Sequence, residues 1–192
     1  MPKIKYGLRN VHYAVITDIE KWTFGEVKKI PGAVTLSLSA EGDSSPFYAD
    51  DIVYFNTTVN NGFTGDLEMA LIPDEFKTDV LGWETDETTG ALLEVANAIS
   101  KEIALMFEFQ NDDMGRRTIL YRVSVGRPGI DHATKTETIE PQTETLTITS
   151  MPAEKGDKTY TRGIVKTADA GYATFFDAVQ VPGGPVETEV GV

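Results

Sequence analysis

The chain contains no cysteine. That absence removes disulfides, thiolate metal sites and thiol catalysis together, and it fits synthesis in a reducing compartment. Histidine is nearly absent too, with only His12 and His132. A two-histidine metal site or a serine–histidine dyad would need a third partner that no motif marks, so both are read as ordinary structural or surface residues. No run approaches the ~20 apolar residues that cross a bilayer, and the opening MPKIKYGLRN has no apolar signal core. The expectation is a soluble product without a membrane anchor, made in the cytoplasm. Basic residues are scarce: 17 Lys and Arg stand against 30 Asp and Glu, a formal charge of −13. Such a balance opposes the counterion release on which ordinary DNA-binding proteins depend. The first 100 residues hold 16 of the acids and 7 of the bases, so the acidity is weighted toward the first half.

What is present suits a folded domain. Of 192 residues, 41% are hydrophobic, enough for a core, and 24% are charged, too few for a disordered polyelectrolyte. The pattern reads as one domain over residues 1–181, with a basic N-terminal arm at 1–9 and a Pro/Gly/acid-rich, flexible tail at 182–192.

The stretch from Ile30 to Pro73 organises the rest. Val34, Leu36 and Leu38 alternate with Thr35, Ser37 and Ser39, a period of two that gives a strand with one apolar face. AEGDSSPFYADD reads as a loop, because Gly42 admits positive φ and Pro46 removes a donor. Ile52 to Thr57 is β-branched and aromatic without a breaker, and reads as a strand buried on most of its surface. Asn60-Asn61-Gly62 is turn chemistry. Phe63, Gly65, Leu67, Met69 and Leu71 then share a face opposite Thr64, Asp66 and Glu68, which predicts an antiparallel pair with a wet, acidic side.

Val11, Tyr13 and Val15 mark an earlier strand, and Trp22 with Phe24 a loop anchored by aromatic burial. At Pro73 to Gly82 the spacing becomes helical: proline and two acids open the segment, Phe76 and Val80 share a face, and Gly82 stops it. Trp83 to Thr89 is turn-like and Leu92 to Ala96 a short strand. Glu102–Phe109 and Arg116–Val125 form the clearest hairpin, joined at Asn111–Gly115. Pairing 108 with 116 would set Glu102 opposite Arg122 on a solvent face shared by Met106 and Glu108. His132 to Thr138 begins another ladder. Thr143, Thr145, Thr147 and Thr149 alternate with Leu146 and Ile148, Tyr160 to Val165 returns as a strand, and Ala173 to Val179 is helical.

Chemistry is hard to place on this chain. Asp50-Asp51 and Asp112-Asp113 lack the spacing of a calcium loop and are read as turn acids. No pair of carboxylates is singled out for glycoside hydrolysis. Arg116, Arg117, Arg122 and Arg127 are the densest basic segment, but the alternation divides them and the net charge opposes nucleic-acid contact. Pairing with acids is the expectation. No catalytic residue, cofactor or metal is expected.

YGLRNVHYAVI, IPGAVTLSL, EGDSSPFYADD, VNNGFTGDLEMALIPDEF and YRVSVGRP resemble the major tail proteins of long-tailed bacteriophages, in particular the phi13-like family. The likeness is strong over roughly the first two-thirds and rests on structural motifs. It implies a mainly-β fold, a β-sandwich of two antiparallel sheets with a short flanking helix, whose sheets close a tube on hexamerisation. It implies stacked hexameric rings in the virion tail, a DNA conduit, and tape-measure and tail-terminator proteins as partners beside the chain itself. DNA would transit without specific binding, since an acidic or neutral wall repels phosphate. Asp66, Glu68, Glu102 and Glu108 are the candidate lumen-facing residues, and Phe47, Tyr48 and Arg9 the candidate inter-subunit contacts. A tube of a tail-like bacteriocin or contractile particle is the alternative within this class. A monomeric β-sandwich binding module or hydrolase is the alternative outside it.

Overall fold

A computed structural model describes residues 7–110, 115–129 and 142–184. The strands are β1 (Leu8–Asp18), β2 (Thr23–Phe24), β3 (Lys28–Lys29), β4 (Ala33–Glu41), β5 (Ser44–Ala49), β6 (Ile52–Thr58) and β7 (Gly62–Met69). Helix α1 (Asp74–Asp79) follows, then β8 (Glu84–Thr85), β9 (Leu92–Leu93), β10 (Ile103–Phe109) and β11 (Arg117–Val125). The chain continues through β12 (Glu144–Ser150), β13 (Ala153–Lys155), β14 (Lys158–Tyr160) and β15 (Arg162–Val165).

One principal sheet runs β2-β1-β10-β11-β12-β7-β4, with β3 beside β1 and β15 beside β11, all neighbours antiparallel. β1 and β4, near opposite ends of this order, pack against each other, so the sheet curls back on itself. The mainly-β, antiparallel architecture with one small helix is consistent with the expected sandwich class. Tyr13, Leu67, Leu105, Leu120 and Leu146 form the main core, closed by Phe76 and Val80 of the α1 segment. The expected amphipathic helix is therefore in place, with Pro73 at its N-cap and Gly82 leaving it at φ 74°. A second core lies on the other side of β10 and β11, where Trp22, Met106, Ile119, Tyr121 and Phe175 cluster. Trp22 is the aromatic anchor expected in its loop, and its Nε1–H donates to the Glu154 carbonyl at 2.7 Å.

This second core corrects the register expected for the central hairpin. Arg117, not Arg116, stands opposite Glu108, and a bulge between Ile103 and Leu105 shifts the pairing again so that Ile103 faces Val123. Sequence alternation sets register when one face is dry and the other wet. Here Ile103 to Glu108 are all buried, so the solvent face expected for Met106 and Glu108 does not exist. Glu102 and Arg122 nevertheless meet, in a bidentate pair at 2.7 and 2.9 Å.

Four further expectations give way. A bulge between Ala33 and Thr35 turns Val34 outward, to 49% exposure. The Gly42–Asp51 loop is instead strand β5, paired with β6, and Asp50 and Asp51 make the reversal, both with left-handed φ (51° and 62°). Asn60-Asn61-Gly62 is no hairpin turn: Val59 and Asn61 N–H groups bond the Asp43 and Glu41 carbonyls, so one long ladder runs from β4–β7 into β5–β6. β7 accordingly pairs with β4 and β12, not with β6. Residues 173–179 form turns, not helix, although Phe175 is buried. The ladder expected at His132–Thr138, the loop acids Asp112 and Asp113, and the termini at 1–6 and 185–192 lie outside the described residues.

Candidate functional site: a hydroxyl and carboxylate face

Strands β4, β7 and β12 present one outer face with three cross-strand rows: Thr35–Glu68–Thr145, Ser37–Asp66–Thr147 and Ser39–Thr64–Thr149. It forms because, past the bulge at Ala33–Thr35, the three strands alternate over these rows, sending Leu36, Leu67, Leu146 and Ile148 inward and the side chains of the rows outward. Six side chains are exposed on the flanking strands, and none of the nine is basic. Close approach of β4 to β7 depends on Gly65, where an added Cβ would lie 1.8 Å from the Ser37 carbonyl oxygen.

The hydroxyls serve the carboxylates. Thr147 Oγ1 donates to Asp66 at 3.0 Å, Thr143 Oγ1 to Glu68 at 2.7 Å, and Thr35 also donates to Glu68. The hydrogen bonds from Thr35 and Thr143 hold the Glu68 carboxyl below its ordinary value. The hydroxyls thus orient the two carboxylates, and no cation stands among the nine side chains.

The other site candidates separate. Glu102 is partly exposed and tied to Arg122. Glu108 is 4% exposed, and Arg9 Nε, Asn10 Nδ2 and Arg117 Nε bond it at 2.9, 2.6 and 2.9 Å. A carboxylate enclosed in this way has no surface to offer a lumen, so the expectation of a wet Glu108 is corrected. Arg9 belongs to β1 and its charge is engaged with Glu108 of the same chain, which places it in the sheet and not in a free N-terminal arm. Phe47 and Tyr48 lie in β5, opposite Phe55 and Val53; their side chains lie outside what the structure describes.

The arginine run pairs within the chain, as expected of a strand rich in alternating charge. Arg122 bonds Glu102, Arg127 bonds Glu94, and Arg117 bonds Glu108 while lying over the Tyr172 and Phe176 rings. His12 stacks on Phe176 with ring centroids 4.5 Å apart, and burial holds its imidazole below the ordinary value. Among the described residues no group of three or more His, Asp or Glu is arranged to hold a metal ion, and no helix is long and apolar enough to cross a membrane.

Sequence reading misses the most exposed apolar element. Ile52 (63%), Tyr54 (75%) and Phe55 (62%) stand bare on β6. A run such as IVYF is typical of a buried strand, and only its pairing with a proline-containing partner hints at an edge. Sequence reading also misses a cavity of about 260 Å³ in the mouth of the curled sheet, lined by Leu38, Phe63, Phe107, Leu120 and Ile164 with Arg162 at its rim. No protein-family model and no curated protein matches this chain.

Proposed function

We propose that the chain is a structural virion protein, the major subunit of a phage tail tube that self-assembles into stacked hexameric rings around a DNA conduit. The observation that carries this reading is the β4-β7-β12 face. Nine hydroxyl and carboxyl side chains without one cation form the kind of wall along which a polyanion slides without adhering. The outer edge of β4, bordering that face, has no ladder partner among the described residues. Such an edge invites pairing with another chain, and a closed ring of copies would satisfy it. Work of this kind needs no catalytic residue or cofactor. Asp66 and Glu68 are the lumen-facing carboxylates of choice, with Glu102 as a secondary candidate. Tape-measure protein inside the tube and a terminator at its end are the further partners.

The test is electron microscopy of the purified protein across concentrations. Rings or tubes are the expected product. A strictly monomeric species under every condition would remove the proposal in favour of a monomeric β-sandwich binding module. Replacing Asp66 and Glu68 by lysine should leave rings intact but make the assemblies retain DNA at low salt, measured by filter binding.

A further inference from the structure

Strands β5 and β6 form an arm that this chain leaves uncovered. None of its described side chains belongs to either core, and Ile52, Tyr54 and Phe55 expose apolar surface along β6, with Tyr54 the extra residue of a bulge opposite Phe47 and Tyr48. A two-stranded hairpin is marginal on its own in water, so an arm whose described apolar side chains are exposed is completed by a surface elsewhere. The cavity at the mouth of the sheet has the matching chemistry. Its lining is Leu, Phe and Ile side chains together with Thr118 and Arg162, Ile164 is 45% exposed, and the Arg162 guanidinium lies over the Phe63 ring with no carboxylate partner among the described residues. The arm carries the complement: Asp50 and Asp51 at its reversal, with no partner among the described residues, directly followed by Ile52, Tyr54 and Phe55.

We infer that the arm of one copy seats in this cavity of a second copy, with its tip acids against Arg162 and its apolar residues against the Leu/Phe walls. The inference rests on the self-assembly proposed above and names the surfaces that meet. The contact is heterologous, arm to cavity: handed on in one direction it propagates from copy to copy, whereas a reciprocal exchange of arms would close at a dimer. It also sets a spacing. The cavity borders the arm's own root, because Leu38 and Phe63 lie next to Glu41 and Gly62, where the arm leaves the sheet. Roughly nine residues at ~3.3 Å each separate root and tip. Equivalent points on adjacent copies therefore lie roughly 30 Å apart.

The absence of native cysteine makes the test direct. Tyr54→Cys and Ile164→Cys proteins, prepared separately and mixed, are treated with a short bismaleimide under assembly conditions. The expected result is a Tyr54→Cys to Ile164→Cys link between copies, and a ladder of multimers when one chain carries both substitutions. Arg162→Glu should lower the yield several-fold, and Asp50→Arg with Asp51→Arg on the partner should restore it. Rings or tubes at wild-type level without the link would overturn the inference while sparing the self-assembly proposal. A link formed only within one copy, independent of dilution, would also overturn it, since the arm would then cover its own cavity. Wild-type protein that never associates would remove both.

Discussion

Glu108 shows how one buried side chain ties the N-terminal strand, the central hairpin and the C-terminal segment together. Burial by itself would raise its carboxyl; hydrogen bonds from Arg117 and Asn10 and the charges of Arg9 and Arg117 outweigh that, holding it below the ordinary 4.5. A carboxyl lowered in the folded state contributes fully above its ordinary value, and that contribution is lost as pH falls through the lowered one. Thermal melts below pH 4.5 should therefore fall more steeply for wild type than for Glu108→Gln. Glu108→Ala at neutral pH should cost about 3–5 kcal/mol in chemical denaturation, because it strands Arg117 without its partner. Arg9→Ala, at a side chain 53% exposed, should cost less than ~1 kcal/mol. Gly65→Ala should cost about 1–3 kcal/mol, since no methyl fits beside the Ser37 carbonyl without opening the β4–β7 ladder.

At the scale of elements, the arm and the core sheet should behave as separate units of stability. Amides of β5 and β6 should exchange with deuterium far faster than those of β10 and β11, whose residues are buried on both faces. Excising residues 44–58 and closing the gap with Asn-Gly should leave the melting temperature within a few degrees while abolishing assembly, read by sedimentation. The same contrast decides which elements are legible in the amino-acid sequence. Strands with one wet and one dry face, such as β7 and β12, are legible in their alternation, and so is α1 with its proline and acids, although Leu71, expected on the dry face of β7, lies beyond its end and is exposed. Elements with two like faces are not. β10 is dry on both sides, so alternation misplaces its register, by one residue at Glu108 and by two beyond the bulge at Ile103; the described apolar residues of β6 are exposed, yet they read as core. Asp66 and Glu68 are legible because alternation alone puts them outward. Glu108 is not, because the cluster that buries it arrives from residues far apart in the chain.

For the whole molecule, a charge of −13 means that every added copy meets a like-charged surface. The single Arg162–Asp contact is of surface type and weak by comparison. Assembly should accordingly strengthen as salt rises from about 10 to about 150 mM, where the screening length contracts toward ~8 Å. Light scattering against ionic strength reads this out, and a scattering signal that falls with salt would locate the driving force in ion pairs and not in apolar burial.

The threonine hydroxyls of the β4-β7-β12 face carry one more implication. Thr35, Thr143 and Thr147 turn their protons toward Glu68 and Asp66, which leaves lone pairs as what this part of the surface shows to water. A phosphate ester passing these three hydroxyls finds their hydrogens already committed to Glu68 and Asp66. In the proposed tube, sliding of nucleic acid would depend on the orientation of these protons as well as on charge. Thr147→Val should free Asp66 to recruit cations; the expected outcome is magnesium-dependent DNA retention above that of the parent protein, measured by filter binding.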